Sequence, residues 1–133
     1  MSLSSTQLQS ILERAETIAR EASGLVLEGW RRAPSVRSKG KSDLVTEYDE
    51  SCERLLRALL AEAFPDHGVV GEEAQGEQMR DKDLVWYIDP IDGTTNFAHG
   101  HPFFCISMGL VERHGASEVP VVGVVIAPAL QTM

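Results

Sequence analysis

The sequence predicts an α+β chain, a layered α/β sandwich in which two helices near the start pack on a mainly antiparallel sheet. Three observations carry this expectation. Apolar residues recur at helical spacing twice in the first half, β-branched runs fenced by glycine, proline and charge fill the second half, and the last two runs are joined by a short glycine-containing spacer.

The first helix is read from Leu8, because Ile11, Leu12, Ala15, Ile18, Ala19, Ala22, Leu25 and Val26 form one stripe and Ser4 with Gln7 makes a capping box. It fades near Gly29 and Trp30. Residues Arg31 to Ser42, with Pro34, Gly40 and several basic side chains, read as a surface loop. A second helix opens at Thr46, whose hydroxyl caps it while Asp49 returns the bond, and Cys52, Leu55, Leu56, Leu59 and Ala63 supply its stripe before Pro65 stops it. A short strand at Val69 and Val70 follows and ends in Gly71, Glu72 and Glu73. Gln75 to Asp83 is polar and reads as a loop. A buried strand covers Leu84 to Ile88, and Phe103 to Val111 with Val119 to Ile126 form an antiparallel hairpin across Glu112 to Glu118.

A chain of 133 residues suits one compact domain, 1–133, with a core that needs no staple. The net charge of −8 argues against a nucleic-acid partner, which demands clustered lysine and arginine. Cys52 and Cys105 are the only cysteines, one in a helical and one in a strand pattern, so a disulfide framework is not expected and a reducing cytoplasm is. The longest apolar run, Val119 to Leu130, is broken by proline and too short to span a bilayer, so no membrane role is expected.

The chemistry gathers at Trp86 to Phe97, WYIDPIDGTTNF. Asp89 ends a strand, Pro90 fixes the next backbone angle, and Asp92 brings a second carboxylate three residues later. Gly93, Thr94 and Thr95 then enter a helical turn whose first N–H groups lack intrahelical acceptors and can hold an anionic oxygen. An anion beside two carboxylates is repelled by roughly 4 kcal/mol per close contact at an effective dielectric near 20. A divalent cation between them reverses the sign. Taken alone, D-x-x-D is an Asx turn closing a strand, Glu72 and Glu73 are a solvated acidic pair, and Asp49 is a capping carboxylate with one oxygen left over. Lys39, on the basic loop, either solvates that loop or offers charge to a bound anion. Oxygen donors of this kind suit magnesium, manganese or calcium. His99, His101 and Cys105 point to a softer zinc site, but no Cys-x-x-Cys or helical His pair accompanies them. His67 and His114 sit beside glycines, where exposed imidazoles are ordinary. No G-x-S-x-G elbow or Walker lysine motif is present.

Together, DLVTEYD at 43–49, GEE at 71–73 and WYIDPIDGTTNF at 86–97 resemble the motifs of the inositol monophosphatase family of magnesium-dependent, lithium-sensitive phosphatases. The resemblance implies the N-terminal part of the sugar phosphatase fold. It matches Glu72, Asp89 and the Ile91 carbonyl to ligands of a first Mg²⁺, and Asp89 with Asp92 to ligands of a second, two or three ions in all. It also matches Glu72, Asp49 and Thr94 to catalytic positions and Glu73 to a supporting one. Ile91, Asp92, Gly93, Thr94 and Lys39 correspond to positions that receive the substrate phosphate.

The activity so implied is hydrolysis of inositol monophosphate, or a similar small polyol or sugar phosphate, by metal-activated water in a homodimer. The resemblance also implies a family length about twice this one, with another ligand aspartate in the second half, so the chain is expected to be a fragment with an under-ligated second metal site. Two alternatives stay open. One is a catalytically incomplete metal-binding or interaction module, and the other a nucleotide bisphosphate or fructose bisphosphate phosphatase on the same scaffold.

Overall fold

The structure, a computed structural model, describes residues 3–32, 36–38, 44–72 and 81–133. Helix α1, Ser5–Arg31, begins at the expected capping box: Ser4 Oγ accepts from Gln7 N–H and the Gln7 side chain accepts from Ser4 N–H. Its stripe Ala15, Ile18, Ala19, Ala22 and Val26 is buried. Strands β1, Val36–Ser38, and β2, Leu44–Thr46, pair antiparallel. The first of these corrects the expected surface loop. Three residues are too few to show a period of two, so sequence pattern alone misses such a strand.

Helix α2, Glu47–Ala63, starts from Thr46 and also carries a capping box, closed by Asp49. Its buried face is Asp49, Cys52, Glu53, Leu56 and Leu60. The expected stripe packs as read, with Cys52 and Leu56 in the core and Leu55, Leu59 and Ala63 partly buried against it, and the buried face takes in two acids besides, Asp49 and Glu53.

Strands β3, Gly68–Gly71, β4, Leu84–Asp92, β5, Cys105–His114, and β6, Ser117–Ile126, form one sheet in that order, with β3 parallel to β4 and the other pairs antiparallel. The architecture is therefore α+β with a mixed, mainly antiparallel sheet. One face, bearing Trp86, Ile88, Ile106, Met108, Leu110, Val122, Val124 and Ile126, packs with α1 and α2 into a single apolar cluster. Strand β4 runs nine residues, to Asp92, where five were expected. The spacer expected between the last two strands is itself strand up to a turn at Gly115, which adopts φ +63°. Pro120 is tolerated in β6, the last strand in the order of this sheet, because it pairs with Val111 of β5 beside an irregularity that leaves Val121 unmatched between Pro120 and Val122. Among the described residues no helix is long and apolar enough to cross a membrane.

His67 also departs from expectation. Trp86 Nε1 donates to its Nδ1 at 3.1 Å, and its ring stacks on Phe64. Burial holds its pKa below the ordinary value, with Asp66 pulling the other way. His114 is half exposed and bonded to Glu112.

Candidate active site

The parallel pairing of Gly71 with Ile88 brings Glu72, the next residue, alongside Asp89. Asp92 reaches them through a local irregularity. In an antiparallel ladder, paired residues share a face, and Asp89 pairs with Ser107 while Asp92 pairs with Cys105. Three steps along β4 therefore match two along β5, and the extra residue turns Asp92 onto the face of Asp89. Regular alternation would have sent the two carboxylates to opposite sides of the sheet. This shared face is the one opposite the helices, and Glu72, Tyr87, Asp89 and Ser107 line a hollow of about 220 Å³ on it. A larger hollow, about 430 Å³, lies between α1 and the end of the chain, lined by Arg20, Leu27 and Met133. It lacks acidic side chains, so volume and chemistry part company and the donor set decides for the smaller one.

Beyond Asp92 the chain turns at Gly93, which adopts φ +96°, a left-handed conformation open to glycine, and enters the five-residue helix α3, Thr94–Ala98. A Cβ at 93 would also lie 2.9 Å from the Phe103 carbonyl oxygen. Asn96 Nδ2 donates to that same carbonyl and ties α3 to the approach of β5.

Asp49 enters from the first turn of α2 and is 2% exposed. Its Oδ2 accepts from Thr46 N–H at 2.8 Å and Thr46 Oγ1 at 2.6 Å, while Oδ1 accepts from Thr94 Oγ1 at 2.8 Å. Thr94 Oγ1 also lies 3.1 Å from the Ile91 carbonyl oxygen. The capping role and the site role expected separately for Asp49 are thus carried by its two oxygens.

Burial first, then Glu72 and Asp92, push the Asp89 carboxyl up to about 6, against a backbone hydrogen bond from Ile91. Such mutual repulsion among hard oxygen donors fits a divalent cation, which would relieve it. The acids are neighbours without forming a closed cage: among the described residues no group of three His, Cys, Asp or Glu side chains is drawn together tightly enough to hold a metal ion.

Of the expected site residues, Asp49, Glu72, Asp89, Ile91, Asp92, Gly93 and Thr94 converge at the ends of β3 and β4 and the first turns of α2 and α3. Lys39 and Glu73 lie outside the described residues. Glu53 was missed. It is 2% exposed and lies one helical turn beyond Asp49, a spacing that could have marked it. Cys52 is buried, and burial, with Asp49, Asp89 and Glu53, pushes its thiol up to about 12, so it is inert at neutral pH.

Fold and site together define an α+β protein with an acidic hollow at the strand ends of its sheet, lined by Glu72 and Asp89. The chain belongs to the inositol monophosphatase family, whose model matches residues 7–133. It is 39% identical to an inositol monophosphatase of Mesembryanthemum crystallinum over 95% of this chain and 46% of that protein. It is 36% identical to an inositol-1-monophosphatase of Synechocystis over 98% of this chain and 44% of the other. Among solved structures it resembles Thermotoga maritima IMPase with a TM-score of 0.80 at 36% identity, covering 92% of this chain and 46% of that one. The extragenic suppressor protein suhB of Bartonella henselae also gives a TM-score of 0.80, at 29% identity and with the same coverage of each chain. The chain spans about half the length of the curated relatives it matches.

Proposed function

We propose that these residues are the acidic half of a magnesium-dependent phosphomonoesterase site acting on inositol monophosphate or a similar small polyol or sugar phosphate. The observation that supports this best is the extra residue in β4 that turns Asp92 onto the face of Asp89 beside Glu72, with a left-handed glycine immediately after. In this reading Glu72, Asp89, the Ile91 carbonyl and Asp92 hold two or three Mg²⁺. Bound there, the cation supplies Lewis acidity and neutralises phosphate charge.

The chain's own groups do the rest. With its proton on Asp49 Oδ1, Thr94 Oγ1 offers a lone pair to a water, so the pair can orient the nucleophile and draw off its proton. The amides of Gly93 and Thr94 receive the phosphate, joined by Ile91, Asp92 and Lys39, while Glu72 orients the attacking water and Glu73 supports it. The same reading carries lithium inhibition, a cytoplasmic location and a homodimer. A second reading, a metal-binding or interaction module without turnover, draws support from the unclosed acid group among the described residues.

Phosphate release from inositol monophosphate, with and without Mg²⁺, tests the first reading. Magnesium-dependent release that disappears in Asp92→Asn is expected, and equal release by both proteins overturns it. Magnesium binding without release selects the second reading, and faster release from adenosine bisphosphate moves the substrate to the nucleotide class.

A further inference from the structure

We propose that Glu53 is a positioning residue for Glu72, its carboxylate being the stop against which Gly71 rests. The inference rests on the metal-site reading above and concerns what aims one of that site's acids. The space a Cβ would occupy at position 71 is filled by the Glu53 carboxylate. Gly71 is not among the glycines with positive φ, so close approach is what requires glycine there, and backbone conformation does not.

Glu53 in turn is held. Arg57 Nε lies 3.0 Å from its Oε2, with side chains 17% and 3% exposed. A buried ion pair of this kind is a poor stability device, because desolvation opposes the attraction and a well-packed apolar side chain does as well or better. What the pair supplies is a fixed, flat obstacle. Its place on the helix matters too: Glu53 follows Asp49 by one turn, so α2 sets the Thr94-bonded acid and the support of Glu72 as one rigid body. Glu72 is exposed and takes its aim from the backbone that Gly71 delivers.

Calorimetric titration of the full chain with Mg²⁺, well below the melting temperature of each variant, tests this. Gly71→Ala and Glu53→Ala should each weaken affinity about 10-fold or more, the usual scale for groups that orient metal ligands. The double variant should be no weaker than either single one, since both act through one contact. Glu53→Gln, which keeps the shape, should lie nearer the wild type than Glu53→Ala. A merely structural role lowers melting temperatures and leaves Kd unchanged, and that result overturns the proposal, as does multiplicative loss in the double variant. Absence of Mg²⁺ binding by the wild type overturns the metal-site reading itself, and this inference with it.

Discussion

Asp49 shows how one carboxylate serves fold and site together. Oδ2 closes the cap of α2 and Oδ1 receives Thr94, so neither oxygen is spare. Thr94→Val removes the only hydroxyl on Oδ1 among the described residues, and urea denaturation should show a loss of about 2 kcal/mol, the scale of a hydrogen bond to a charged group. Thr94→Ser should restore most of it. Asp89 carries a sign that can be worked out. Its carboxyl sits at about 6 in the folded chain against an ordinary 3.8, so the folded state retains a proton that the unfolded chain has released. Its contribution to stability is therefore fully present below about 4 and is lost as pH rises through about 6. Without metal, the stability of Asp89→Asn relative to wild type should rise across that window, as read from denaturation midpoints. A flat difference would remove the repulsion from the account.

At the scale of elements, the turn from β4 into α3 is the most constrained piece. Gly93→Ala places a side chain at φ +96° and against the Phe103 carbonyl, and thermal denaturation should show a cost of about 1–2 kcal/mol. Helices α1 and α2 and the four strands of the sheet were legible from periodicity and caps, because Ser4 with Gln7 and Thr46 with Asp49 are local signals. The extra residue between Asp89 and Asp92 was not, since register is fixed by Cys105 and Ser107 on the partner strand, beyond the reach of any local pattern. Strand β1 escaped for want of length. His67 escaped because its environment is made by Trp86 from a strand remote in sequence.

For the whole molecule, the acid cluster is a local instability that the core of α1, α2 and the sheet must carry. A ligand that binds only the folded state repays it by mass action, about 2.7 kcal/mol at a hundred times Kd. Mg²⁺ at neutral pH should accordingly raise the melting temperature of the wild type, and should raise that of Asp89→Asn far less, as followed by circular dichroism. The candidate acids could be named from the sequence because three motifs carry them, whereas Glu53 stayed hidden because a glutamate in an amphipathic helix reads as solvent-facing until Gly71 is seen against it. The central claim, that Glu72, Asp89 and Asp92 form one cation site, is met most directly by crystals soaked in Mn²⁺ and measured at the manganese absorption edge. The account predicts an anomalous peak within ligand distance of Asp89 and at least one of its two neighbours. A map without a peak there, with the three side chains directed apart, would contradict it.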